Sequence, residues 1–172
     1  MNRRAMKGSN PRSGFSLTEL AVVISVLAIL VGALVPRVQA RLSLRRDERR
    51  LMDVQTLVQA IERYRADVGE LPYPDGTPAH GGWDVSHDGN FISALRRGGY
   101  LDQDVVDPLN DDAYHYRYFV YEAGTYGCPG SGPYYVIGIR NFETASVAAQ
   151  RRGSFRCSER DWSEEFAYVT GG

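Results

Sequence analysis

The pattern of apolar and polar positions changes character at Pro36. Phe15 to Val35 is one apolar segment of 21 residues whose only charge is Glu19, a length sufficient to cross a bilayer as a helix. Beyond Pro36, Leu44, Leu51, Val54, Leu57, Val58, Ile61, Tyr64 and Val68 recur at three- and four-residue steps, the stripe of an amphipathic helix. Gly69 and Pro72 predict its end near Asp67. Phe15 to Asp67 is 53 residues, roughly 80 Å of helix at about 1.5 Å per residue. Pro36 removes a backbone donor within it and can kink it or permit local melting. Such a helix suits lipid in its first half and must bury one face against its own C-terminal part in its second.

The remaining pattern is that of a small α+β domain. Leu71–Asn90 is rich in Pro, Gly and Asp and reads as an irregular loop. Asn90–Arg97 predicts a short helix, started by Asp88 or Asn90 and stopped by Gly98-Gly99, with Phe91, Ile92 and Leu95 facing a core. Asp107-Pro108-Leu109-Asn110 is a turn by its own chemistry. Tyr114–Glu122 and Pro133–Arg140 are the clearest strands, joined by a Gly-rich loop too long for a tight hairpin. Phe155–Cys157 and Phe166–Thr170 add short strands.

Charge is spread unevenly although the net value is −1. Residues 1–14 carry Arg3, Arg4, Lys7 and Arg12 and no acid; residues 37–50 carry six Arg against Asp47 and Glu48; residues 51–172 carry ten Arg against eighteen acids, or −8. The Arg37–Arg50 stretch is expected to face solvent or pack against acidic neighbours. An acidic C-terminal part argues against a nucleic-acid reader, which normally presents a basic face. With both flanks of the apolar segment basic, the positive-inside rule alone does not set an orientation.

Candidate chemistry is sparse. His80, Trp83, Asp84, His87 and Asp88 share the loop, but their spacing matches no metal-ligand motif, so loop packing is the reading. Asp107, Asp111 and Asp112 read as exposed turn acids. The tyrosine-rich strands lack the interleaved basic residues of a stacking platform and read as core and subunit contacts. No nucleophile–base pair stands out, which argues against an enzyme. The anomaly is Glu19. A carboxylate in a membrane helix costs roughly 2.5 kcal/mol or more near the bilayer centre, so a partner is needed. Ser16-Leu-Thr-Glu19 also fits a capping box, in which the Glu reaches back to the cap N–H.

Gly14 followed by Phe15, Glu19 as the fifth residue after that glycine, and Pro36 closing the apolar run resemble the class III signal of type IV prepilins and pseudopilins. The resemblance implies an α+β, pilin-like lollipop: a long N-terminal helix, half transmembrane, packed on a small antiparallel sheet head. It implies cleavage by prepilin peptidase between Gly14 and Phe15 and N-methylation of Phe15. Residues 1–14 would be the leader, 15–36 the transmembrane and filament-core helix, 37–68 its amphipathic continuation and 69–172 the head. Glu19 would offset the amino group of a neighbouring subunit in a filament of pilins, served by a platform protein and an assembly ATPase. The leader would face the cytoplasm from the inner membrane, with the head in the periplasm or outside the cell.

Cys128 and Cys157 are an even pair in the part that would meet an oxidising compartment. A bridge would tie the C-terminal segment to the sheet, as a C-terminal disulfide loop often does in type IV pilins, and is worth roughly 3–4 kcal/mol in a chain-entropy account. Major pseudopilins of type II secretion commonly hold calcium in an acidic loop after the second strand. Here RNFETASVAAQRRGSF holds the single acid Glu143, too few oxygen ligands for a hard cation, so no metal and no cofactor is expected. The type II secretion pseudopilus is the leading reading, favoured by the Asp107-Pro108 step, while the cysteine pair favours pili. The alternatives are an uncleaved, membrane-anchored binding domain and a minor pilin for adhesion or DNA uptake, the last through Arg151 and Arg152.

Overall fold

A computed structural model of the chain describes residues 14–150 and 153–172. The proposed leader apart from Gly14, and Arg151 and Arg152, lie outside the described residues. The chain divides into two units, Met1–Gln39 and Ala40–Gly172. Its first element, α1 (Leu17–Val68), runs through Pro36 without a break. It ends one residue past the expected point, where Gly69 takes a left-handed φ of 86° and its N–H bonds back to Arg65 O.

In the second unit the order after α1 is β1 (Asp84–Val85), α2 (Ser93–Arg97), β2 (Tyr116–Tyr121), β3 (Tyr134–Ile139), α3 (Ala145–Gln150) and β4 (Tyr168–Gly171). The strands form one antiparallel sheet in the order β1-β2-β3-β4. Residues 40–68 of α1 cover one face of it. Val54, Leu57, Ala60 and Ile61 pack there with Tyr116, Tyr118, Tyr135, Ile137 and Ile139, closed by Phe91, Ile92 and Leu95 of the α2 segment. The opposite face carries Trp83, Val85, Tyr121, Tyr134, Val136, Trp162, Phe166 and Val169. With both faces covered, all six residues of β3 are buried, which explains an apolar run in place of polar alternation. Gly138 is required there, because a Cβ would stand 2.6 Å from the Phe166 ring.

Four expectations are corrected. Phe155–Cys157 is no strand; it contributes only a bridge between Arg156 and Asp161. The loop Leu71–Asn90 holds β1, the edge strand of the sheet. The short helix starts at Ser93 and neither Asp88 nor Asn90 caps it; the Ser93 N–H is taken at 2.8 Å by Asp75, whose carboxylate also accepts from the Ser93 hydroxyl. Asp107 is buried, not an exposed turn acid. Helix α3 was not expected at all.

The last two findings share one cause. Arg50 is fully buried and its guanidinium meets three carboxylates. Nε and Nη2 form a fork onto Asp107 at 2.6 and 3.0 Å, while Nη1 donates to Asp47 at 2.6 Å and to Glu143 at 2.9 Å. Arg46 donates to Glu143 from Nε at 2.7 Å and from Nη2 at 2.5 Å. The acids are further satisfied by backbone. Asp107 accepts from Leu109 N–H, and Asp47 accepts from Glu143 N–H at 3.0 Å and Thr144 N–H at 2.9 Å, capping the start of α3. Burial opposes the charge on Arg50, yet the bonds from Asp107, Glu143 and Asp47 outweigh it and hold its pKa above the usual arginine value.

Two acids titrate in opposite senses. The Arg46 bond holds Glu143 down, to about 2 against an ordinary 4.5. Burial pushes Asp84 up to about 6 from 3.8, against the lowering bonds from Asp75 N–H at 2.8 Å and Ile92 N–H at 2.9 Å, both on Oδ2. Its Oδ1 is buried with no partner among the described residues. The Ile92 bond holds a β-branched residue at a left-handed φ of 43°, a conformation such residues avoid. A raised carboxylate pKa adds stability below its unfolded value that is lost as pH rises through the folded one; a lowered pKa adds stability above the unfolded value that is lost as pH falls.

Denaturant titration of the detergent-held full chain should therefore show wild type gaining on Asp84→Asn, whose amide oxygen can accept the same two N–H bonds, as pH drops from 7 towards about 4.5, by up to roughly 3 kcal/mol. In both, protonation of His115, which burial holds neutral down to about 4, lowers stability over the same range. The contribution of Glu143 should be lost in both as it protonates towards about 2. Arg50→Met should lower unfolding free energy by about 3–5 kcal/mol at pH 7, because it leaves buried carboxylates facing one another. Arg46→Ala, at a side chain 31% exposed, should lower it less.

Candidate functional site

The candidate site is the start of α1. From Phe15 to Val35 the large apolar side chains lie open, Phe15 at 89% and Leu17 at 87% exposure. Contiguous apolar surface on this scale calls for lipid or protein around it. Among the described residues α1 is the helix long and apolar enough to cross a membrane, and none of its most apolar stretch is buried within the chain.

Gly14 and Phe15 precede the first helical turn. A Cβ on Gly14 would meet nothing within 4 Å, so the fold does not itself demand glycine there. Ser16 and Glu19 form the capping box in full: Ser16 N–H donates to Glu19 Oε2 at 2.8 Å, and Glu19 N–H donates to Ser16 Oγ at 3.2 Å. The local reading of Glu19 is thus realised within one chain. One carboxylate oxygen takes that bond and the other takes none among the described residues, which leaves an acceptor open. Pro36 lies inside α1 and, having no N–H, leaves the Gly32 carbonyl without its intrahelical donor.

Cys128 and Cys157 are joined as a disulfide. The bridge links the loop after β2 to the segment before β4, beside the aromatic cluster of Tyr121, Tyr126, Tyr134 and Trp162. Arg160 stacks its guanidinium 4.8 Å over Tyr126 and 5.2 Å over Trp162. The signal for this pairing lay in the cysteine count; the aromatic setting did not show in the sequence.

The other candidates disperse. The buried tyrosines are core, with hydroxyls turned to internal acceptors: Tyr116 to Asp53, Tyr118 to Pro72 O and Tyr135 to Glu62. Their faces are therefore not offered to bases or sugars. His80, His87 and His115 do come together, with ring centroids 5.1 and 4.6 Å apart. His115 is committed: Nδ1 faces Asp111 O at 3.0 Å and Nε2 accepts from Arg117 at 2.9 Å. Burial holds it neutral, down to about 4. Among the described residues no group of three or more His, Cys, Asp or Glu is arranged to hold a metal. Glu143, the single acid of the loop after β3, is occupied by Arg46 and Arg50. Two open grooves, one between α1 and α3 and one near Tyr73, Phe119 and Pro133, carry neither histidine nor cysteine in their linings.

Sequence reasoning allowed the Arg37–Arg50 stretch acidic neighbours but did not identify Asp107 and Glu143 as those of Arg50. The Arg46 and Arg50 spacing with Asp47 between them was a usable signal, but the partners lie 57 and 93 residues away.

No curated protein and no solved structure matches the chain. The family model for the prokaryotic N-terminal methylation motif matches residues 9–35, spanning Gly14, Phe15 and Glu19. Joined to an N-terminal helix packed on a four-stranded antiparallel sheet, that match marks this N-terminus as a type IV prepilin-like class III signal and supports a protein of the type IV pilin family.

Proposed function

We propose that this chain is a structural subunit of a type IV pilus-like filament, of the kind that forms a type II secretion pseudopilus. One observation carries the proposal: a methylation-motif N-terminus whose apolar side chains remain uncovered, on the same helix whose later residues hold the core of the sheet. Cleavage between Gly14 and Phe15 by prepilin peptidase frees the Phe15 amino group, which the same enzyme then methylates from a methyl donor. The subunit stays in the inner membrane through residues 15–36, with its head on the far side, until the platform protein and ATPase draw it into the filament. There the apolar stems pack together. The open oxygen of Glu19 faces the terminal amino group of a neighbour, because a charge in a low-dielectric core needs an opposite partner. The Asp107-Pro108 step favours the secretion form of the filament, and the Cys128–Cys157 bridge favours the pilus form.

The competing reading is an uncleaved anchor carrying a binding domain. The two separate at the N-terminus. Co-expressed with prepilin peptidase, the chain should begin at methylated Phe15 by intact-mass analysis, and Gly14→Glu should prevent both cleavage and methylation. Wild-type chain that keeps Met1 under those conditions sinks the filament reading.

Glu19→Gln retains an acceptor for the capping box but carries no charge. It should be cleaved normally, yet enter filaments about tenfold less or worse, since a charge-assisted hydrogen bond is worth roughly 1.5–3 kcal/mol. Normal incorporation of this variant would show that no ion pair is made at Glu19.

A further inference from the structure

Arg41, Arg45 and Arg49 recur every fourth residue of α1 and are exposed. At 100° per residue they fall, with Leu42 and Met52, within an arc of about 100°. The packed face of Arg50, Val54, Leu57 and Ile61 is centred about 140° further round. Leu42 is 46% and Met52 59% exposed, so the face mixes guanidinium and apolar surface. Like charges four residues apart repel. The row has little internal relief: Arg49 reaches Asp53 at 3.6 Å with its side chain still 59% exposed.

We infer that this arginine face of α1 is a docking surface for a second copy of the chain, specifically for its turn 107–112. The inference rests on the filament reading. The turn offers matching chemistry. Leu109 is 42% exposed, and Asp112 is fully open, its carboxylate 3.3 Å from His87 Nε2. Asp111 is exposed too, but its Oδ1 is engaged by the N–H groups of Ala113 and Tyr114, which leaves Asp112 the more open acid of the two. A chain cannot place this turn on its own arginine face, because Asp107 ties the turn to Arg50 on the other side of the helix. The two surfaces are different patches, so the contact is heterologous, and within the proposed filament it repeats from copy to copy without closing.

Anionic lipid is the other conceivable partner, and distance disfavours it. Arg45 and Arg49 stand nine and thirteen residues beyond Pro36, about 14 and 20 Å along the helical path, and only Arg41, at about 8 Å, comes near the headgroups. A headgroup layer extends only about 5–8 Å past the hydrocarbon.

The test uses the full-length chain in cells with the peptidase and assembly machinery, comparing wild type, Arg41→Glu/Arg45→Glu, Asp112→Arg and all three together. Filament recovered by shearing is measured against subunit held in the membrane. Both charge reversals should lower recovery tenfold or more, and the combined variant should restore a substantial part of it, which a folding defect cannot imitate. An Arg45→Cys/Asp112→Cys chain should cross-link between copies. If wild type assembles and the reversals assemble equally well, the docking surface is wrong and the filament reading stands. If the combined variant is no better than the singles and no cross-link forms, the pairing of these two patches is wrong. If the arginine reversal alone reduces membrane retention, and Asp112→Arg changes nothing, the row serves lipid and the inference fails. If wild type never assembles, the filament reading fails and the inference with it.

Discussion

The buried guanidinium of Arg50 is the point on which the second unit turns. Hydrophobic burial between α1 and the sheet is non-directional and would tolerate sliding by a turn of helix. A desolvated arginine does not tolerate it, because its donors must meet fixed acceptors or the charge is stranded. Asp107 supplies a planar fork, Glu143 and Asp47 supply single contacts, and each comes from a different part of the chain. The cluster therefore sets the register of α1, the seat of the Asp107 turn and the start of α3 together. Asp47 links the last two directly, since its oxygens also accept the N–H groups of Glu143 and Thr144.

The same helix serves two environments, and its residues sort accordingly. Up to Val35 every large side chain is open, which is stable only in lipid or among other stems. From Asp47 onward one face is sealed under the sheet. Between them the arginines divide by helical phase: Arg46 and Arg50 are neutralised within the chain, whereas Arg41, Arg45 and Arg49 remain turned outward. The acids that answer the inward pair come from turns of the head; those that answer the outward row belong, on the present inference, to another copy.

The far side of the sheet is held by different means. An aromatic cluster around Trp162, the Cys128–Cys157 bridge and the arginine stacked on Tyr126 and Trp162 cover it without a helix. Asp84 sits at the sheet edge with one oxygen committed to two N–H groups and the other without a partner among the described residues. Its carboxylate keeps Ile92 in a strained conformation ahead of α2, a cost of order 1–3 kcal/mol that the surrounding contacts must offset.

Local patterns carried much of this protein. The apolar run, the helix phase from Leu51 to Val68, the two central strands and the Gly14–Phe15–Glu19 constellation are periodicities or short motifs, set by neighbours within a few residues, and they read directly. The strand ends were overdrawn by one or two residues at Tyr114 and Pro133, because ladder pairing and not composition decides where a strand stops. What the tertiary structure alone decided is non-local. The burial of Asp107, the cap that creates α3, the use of Asp75 in place of Asp88 or Asn90 at α2, and the gathering of three histidines all depend on which distant segments meet. A charged side chain has the same appearance in sequence whether it ends in water or against a counter-charge. Only folding brings Arg50 and its acids within hydrogen-bonding distance, and the desolvation that follows makes that meeting obligatory.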